Sequence, residues 1–120
     1  METKLDLFGL LVVRSIRDGG FDYLERLLAG QWKAPSETAI QRELAGLEED
    51  GKDLVRRACR KSIEYALHKF LTSLEEACAR EQLEVTIEGE SVTSLSDGLG
   101  GELFSDAGWY ARFSKYGPKE

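Results

Sequence analysis

The side chains that could support acid–base or metal chemistry are few in this chain. His68 is its only histidine, and a general base needs an oriented partner and a substrate proton within hydrogen-bond reach. Nothing in the sequence places either beside His68. Cys59 and Cys78 are the only thiols, and with one histidine they do not have the spacing of a zinc site. The sequence therefore predicts no catalytic residue, no bound metal and no cofactor, and His68 is kept as a candidate ligand contact.

A glycine-rich segment, Asp97–Gly101, invites comparison with phosphate-binding loops. A P-loop requires Gly-Lys-Ser/Thr at the start of a helix, and the dinucleotide fingerprint requires a strand–glycine–helix unit. No lysine follows these glycines, and a strand rather than a helix is expected after them. Their predicted role is to form turns with positive φ.

Four basic residues form a cluster: Arg56, Arg57, Arg60 and Lys61. Arg56 falls near the centre of the apolar stripe of a predicted helix and Arg60 at its edge, so each guanidinium needs a carboxylate or carbonyl partner. The acidic run Glu48–Asp50 is near enough in sequence to supply one. An internal ion pair is favoured over an anion-binding site, and Arg56 and Arg60 join His68 as candidate anion or ligand contacts.

The segment 109–116 is rich in aromatic and basic residues. Interpreted as a strand, it directs Trp109 and Phe113 to the core and leaves three residues on the outer face: Tyr110, Arg112 and Tyr116. Tyr and Arg are favoured at interface hot spots, and interleaved aromatic and basic residues also suit single-stranded nucleic acid. The simplest interpretation is an ordinary strand with an amphipathic outer face. If the chain binds a partner, these three outer residues are the candidates.

The elements that must position these residues are predicted from the spacing of apolar side chains. Residues 4–17 are apolar almost all round, which favours a largely buried helix ended by Gly19-Gly20, with a strand through Val12–Val13 as the competing interpretation. A short helix is expected over 21–28, and a third begins near Pro35-Ser36.

The strongest periodicity runs from Asp53 to about Glu81 and predicts one long helix. From Ile63 onward the apolar residues recur three and four apart, which is typical of one core-facing side, with Phe70 and Leu74 at its centre. At about 1.5 Å per residue such a helix exceeds 40 Å and is expected to be the spine of the fold. Tyr65 lies on its opposite face.

The period changes to two after Gln82, where Leu83, Val85 and Ile87 alternate with polar residues and predict a strand. Gly89-Glu90 predicts a hairpin turn. Helices followed by strands indicate an α+β fold in which a small antiparallel sheet packs on the long helix. We expect one domain over residues 1–120, helical over about 1–82 and β over about 83–116.

Charge and segment lengths restrict the partners. The formal net charge of −6 over 120 residues argues against nucleic acid. The apolar run Leu5–Val13 is too short to cross a bilayer and lacks the features of a secretory signal. Two unpaired cysteines suit a reducing compartment. We therefore expect a cytoplasmic protein that does not bind membranes.

Without a catalytic constellation, the predicted function is a non-enzymatic protein-interaction module, such as an inhibitor, an immunity protein or an antitoxin-like protein that binds another protein. Two alternatives stay open. One is a small-ligand-binding or enzymatic domain with a pocket between the long helix and the sheet, lined by Arg56, Arg60 or His68 and the loop Asp97–Gly101. The other is nucleic-acid binding through the cluster Arg56–Lys61. The oligomeric state is left open.

Overall fold

The chain begins with a continuous helical stretch from Lys4 to Leu28, as seen in the computed structural model, which describes residues 3–118. It consists of α1 (Lys4–Val12), a π-helical turn (Val13–Asp18) and α2 (Gly19–Leu28). Thr3 and Asp6 cap its start reciprocally: the Asp6 amide donates to Thr3 Oγ1 at 3.1 Å, and the Thr3 amide donates to Asp6 Oδ2 at 3.3 Å.

Gly19-Gly20 does not end this helix, so the expected stop is wrong, as is the alternative strand through Val12–Val13. The physical reason is close packing on the long helix. A Cβ built on Gly20 would lie 3.0 Å from Ile63 Cδ1. The missing side chain lets α2 approach closely, and tertiary packing of this kind overrides the cost of glycine in a helix, about 1 kcal/mol.

The helix α3 (Pro35–Ala45) packs on α2 and starts with proline at its first turn, where the missing amide hydrogen is no loss. Its buried Gln41 holds the loop between the two helices. Gln41 Oε1 accepts from the Trp32 amide at 2.9 Å, and Gln41 Nε2 donates to the Trp32 carbonyl at 3.0 Å.

The long helix α4 (Glu49–Ala79) has 31 residues and confirms the predicted spine, although it begins earlier than the apolar pattern indicated. Its buried residues are Leu67, Leu71 and Leu74, which lie within about 60° of one another around the axis. Phe70 is 46% exposed, so its predicted place at the centre of the core is wrong. It lies at the edge of the buried face, where neighbouring elements cover it only in part.

The C-terminal part contains the antiparallel pair β1 (Thr86–Ile87) and β2 (Glu90–Ser91), in which Thr86 pairs with Ser91 and Ile87 with Glu90. The α+β class with a long central helix is confirmed. Glu88 and Gly89 both have positive φ, of 51° and 85°, so the hairpin turn lies one residue earlier than expected. Two short 3-10 helices, Val92–Ser94 and Leu99–Leu103, follow.

The strand expected over 109–116 is wrong, because the chain forms a short helix there, α5 (Trp109–Phe113). Trp109 is fully buried against α1. A Cβ built on Gly9 would lie 2.3 Å from Trp109 Cε2, so only glycine at position 9 allows this contact. The core thus joins α1 and the π-helical turn to α4 and the C-terminal segment through the following buried residues: Phe8, Val12, Val13, Leu67, Leu71, Leu74, Val92, Leu99, Leu103, Trp109, Tyr110 and Phe113.

Truncating adjacent residues of α4 tests which side of this helix carries the core. We expect Leu71→Ala to lower the free energy of unfolding by about 2–5 kcal/mol, because it leaves a cavity at a fully buried site. Phe70→Ala should cost less than about 1 kcal/mol, since much of its ring is already in water. Urea melts of both variants provide the measurement, and equal losses would contradict the assigned face.

Candidate functional site

Arg17, at the end of the π-helical turn, is fully buried and joins three parts of the chain. Its Nε and Nη2 donate to Glu64 Oε2 on α4, at 3.0 and 2.8 Å. Its Nη1 donates to Ser114 Oγ at 2.8 Å and to the Gly117 carbonyl at 2.5 Å. The guanidinium carbon lies 4.1 Å from the centre of the Tyr110 ring. Sequence reasoning missed this residue, although an arginine within a helix that is apolar almost all round is a signal that a buried partner is required.

The neighbouring carboxylates attach the end of the C-terminal segment. Asp18 Oδ1 accepts from Ser114 Oγ at 2.5 Å, and Asp18 Oδ2 accepts from the Lys115 amide at 3.1 Å. Asp22 accepts from the Tyr116 hydroxyl and from Lys115 Nζ, the latter at 2.9 Å. These contacts hold residues 114–117 against the first helical stretch.

Helical geometry changes the faces assigned to the candidate partner-binding residues. Tyr110 is 2% exposed, so the outward direction predicted for it is wrong; helical spacing places it with Trp109 and Phe113 on the buried side of α5. Arg112 is exposed, and its Nη2 donates to Asp6 Oδ1 at 2.8 Å. Tyr116 is half-buried. A role of these residues in binding a partner stays a prediction.

The candidate ligand contacts Arg56 and Arg60 share an internal carboxylate. Both donate to Glu25 Oε2 on α2, at 2.7 and 3.0 Å, so the partner is not the run Glu48–Asp50 suggested by sequence proximity. Burial raises the pKa of Glu25, but the two arginines outweigh it and the pKa lies below its ordinary value. Arg57 pairs with Asp53 at 3.2 Å. Much of the cluster's donor capacity is therefore used within the chain.

An open cleft of about 730 Å³ lies between α4 and the C-terminal segment. We call it the α4 cleft, and its lining residues are Lys61, Glu64, Tyr65, His68, Phe104, Ser105, Asp106, Tyr110 and Pro118. His68 thus belongs to it, whereas Arg56 and Arg60 are not among the lining residues. The predicted pocket between helix and sheet corresponds to this cleft only on its helix side, because the opposite wall is the segment around α5.

The glycines of the loop Asp97–Gly101 do not have positive φ, so their predicted role is wrong; the loop instead packs closely on α4. A Cβ built on Gly100 would lie 2.8 Å from His68 Nε2, so the loop packs directly beside the imidazole. The His68 ring also lies 5.7 Å from the Phe104 ring. His68 is therefore a packing element of the cleft wall as well as a lining residue.

A tight turn presents Phe104 at the mouth of the cleft. Ser105 has a φ of 82°, which is uncommon for a residue with a side chain. A Cβ built on Gly108 would lie 1.9 Å from the Phe104 carbonyl oxygen, so the turn requires glycine there. Phe104 is 50% exposed and meets the Tyr110 ring edge-on at 5.8 Å, and across the cleft Tyr65 is 67% exposed.

The Tyr110 hydroxyl is buried and has no hydrogen-bond partner among residues 3–118. Burial, together with the negative charge of Glu64, raises the pKa of Tyr110 to about 12, although Arg17 acts in the opposite direction. The phenol is therefore neutral at physiological pH, with its donor and acceptor capacity unused. An unsatisfied polar group of this kind usually has a functional or structural explanation.

Within the described part of the chain, no three His, Cys, Asp or Glu side chains are grouped closely enough to hold a metal ion. None of the helices between residues 3 and 118 has the length and apolar character needed to cross a membrane. No protein-family model, curated protein or solved structure matches the sequence significantly. Inference about function therefore depends on the α4 cleft itself.

Removal of the buried guanidinium tests the network that forms one wall of the cleft. We expect Arg17→Leu to cost about 3–5 kcal/mol, because it leaves the Glu64 carboxylate without its partner. Replacing both residues, in Arg17→Leu with Glu64→Leu, should destabilise the protein less than the sum of the single changes. Denaturant melts of the four proteins measure this coupling, and strict additivity would contradict it.

Acid should weaken the attachment of α5 to α1 through Asp6. The hydrogen bond from Arg112 lowers the pKa of Asp6 to about 2, despite the upward effect of burial. Because the folded pKa lies below the unfolded value of about 3.9, this contribution is present above about pH 4 and is lost as the pH falls towards 2. The difference in unfolding free energy between wild type and Asp6→Asn should therefore shrink between pH 5 and pH 2. A constant difference would contradict the shift.

Proposed function

We propose that the protein is a non-enzymatic interaction module that binds another protein through the α4 cleft. The observation that carries the proposal is the pair of largely exposed aromatic side chains, Tyr65 and Phe104, on opposite walls of one open cleft. Aromatic residues are enriched at the energetic centres of protein interfaces because they bury a large area at small entropic cost. Two such rings on either side of a cleft form a receptor for a side chain of the partner.

The restricted position of Phe104 supports the same function. Phe104 contacts the Tyr110 and His68 rings, and these contacts restrict its ring before a partner arrives. The turn at Ser105 and Gly108 restricts its backbone. A preorganised anchor loses less entropy on binding than a mobile one. The proposed surface therefore centres on Tyr65 and Phe104, with Tyr110 as its floor rather than as an outer contact.

Small-ligand binding in the same cleft is the second candidate, and two features favour it. The volume of about 730 Å³ lies within the usual range of small-molecule sites. The cleft lining combines aromatic rings with a few polar side chains, among them Glu64, His68 and Asp106, as is typical of such sites. Nucleic-acid binding through residues 56–61 has less support, because Arg56, Arg57 and Arg60 donate to Glu25 and Asp53 within the chain.

Site-specific photo-crosslinking in the producing cells tests the proposal. With p-benzoylphenylalanine in place of Tyr65 or Phe104, we expect a covalent adduct with the same protein from both positions, because both rings face one cleft. The matched control carries the same photoreactive residue at Phe70, which is similarly exposed on α4 and does not line the cleft. Adducts are identified by mass spectrometry.

A second arm asks whether capture depends on the cleft. The adduct formed from position 65 should be lost when Phe104→Ala is added, while the thermal melt stays unchanged. Equal capture from position 70, or no adduct from either cleft position, would overturn the proposal. Insensitivity of the adduct to Phe104→Ala would also exclude the cleft as the binding site.

A further inference from the structure

The polar atoms around the aromatic rings of the α4 cleft include several hydrogen-bond acceptors. The two hydrogen bonds that Arg17 donates to Glu64 both end on Oε2, and Glu64 Oε1 receives none within the described residues. The Asp106 carboxylate and the Ser105 hydroxyl lie in the opposite wall. Tyr110 lines the cleft as well, although its hydroxyl oxygen is buried. Such a set suits a group that carries only donors.

The chain already binds its own guanidinium groups with this combination of ring and carboxylate. Arg17 lies over the Tyr110 ring and donates to Glu64. Arg60 lies 4.7 Å from the Phe21 ring centre and donates to Glu25. Guanidinium groups combine planar stacking on aromatic faces with several N–H donors, which ammonium groups do not.

From these observations we infer that the α4 cleft receives an arginine side chain from a basic segment of the partner protein. The inference rests on the proposed function and names the chemistry of its site. The guanidinium lies between Tyr65 and Phe104 and donates to Glu64 Oε1 and Asp106. The net charge of −6 attracts a basic segment at long range.

One cleft residue, Lys61, opposes a cation and gives a diagnostic variant. Lys61 is exposed and has no ion-pair partner within residues 3–118. Its removal should strengthen binding of an arginine side chain by reducing repulsion. In a cleft that binds anions, the same change would weaken binding.

The test is a nuclear magnetic resonance titration of the isotopically labelled protein with acetyl-Gly-Arg-Gly-amide. The control peptide replaces arginine with citrulline, which has nearly the same shape but no charge. We expect saturable amide shifts confined to residues 61–68 and 104–110 with the arginine peptide only. Phe104→Ala and Asp106→Asn should each weaken binding roughly three- to fivefold, as expected for loss of a partly exposed cation–π or charge contact. Lys61→Gln should strengthen it, and Phe70→Ala should leave it unchanged.

Several results would overturn the inference. The first is that the citrulline peptide binds as tightly as the arginine peptide, and the second is that acetyl-Gly-Glu-Gly-amide binds more tightly. The third is the absence of a saturable shift at tens of millimolar arginine peptide, and the fourth is a set of shifts that Phe104→Ala does not change. The crosslinking experiment separates this inference from the proposed function. If the segment captured from position 65 contains no arginine, the inference fails while the interaction function stands. If the arginine peptide binds but no protein is captured, the cleft chemistry stands and the function fails.

Discussion

The burial of one charge, the Arg17 guanidinium, determines how the C-terminal segment lies on the rest of the protein. A fully buried guanidinium must satisfy its donors within the chain, because an uncompensated charge costs several kcal/mol. Its partners are Glu64 on α4 together with Ser114 and Gly117 near the end of the described chain. These bonds can form only when residues 114–117 lie beside α4. The α4 cleft exists between the same two elements, so its walls depend on the partners that Arg17 requires.

The π-helical turn places this charge where it can act. Consecutive residues Arg17 and Asp18 are both buried, so the arginine reaches α4 while the aspartate holds the Ser114 hydroxyl and the Lys115 amide. Rare π-helical segments are frequently associated with functional sites. Beyond the turn, α2 lies close enough to α4 for Glu25 to accept from Arg56 and Arg60. Part of the basic cluster of the long helix is thus paired with Glu25, while the α4 cleft lies on a different face of the same helix.

The spacing of apolar residues along the sequence predicted the elements with regular periodicity. It failed where contacts between residues far apart in the sequence determine the secondary structure. The apolar spacing of α4 was sufficient because it repeats over several turns, whereas the alternation from Leu83 to Ile87 predicted a strand of which only Thr86–Ile87 forms. The segment 109–113 has aromatic residues that favour strands, yet it is helical because Trp109 fits over Gly9 and Tyr110 over Arg17. Of the candidate site, His68 was found from its residue type. The sequence did not predict that Tyr65 and Phe104 line one cleft, because periodicity along the chain carries no information on residues 39 positions apart.

Two residues that line the cleft, Glu64 and Tyr110, also hold the fold together through Arg17. Glu64 binds Arg17 through one oxygen and lines the cleft, and Tyr110 stacks on Arg17 while its hydroxyl has no partner in the described chain. Leaving a buried hydroxyl unsatisfied costs about 1–3 kcal/mol, which a phenylalanine at this position would avoid. Packing alone therefore does not account for a tyrosine here. Because Tyr110 lines the cleft and its ring contacts Arg17, occupation of the cleft would stabilise the attachment of the C-terminal segment.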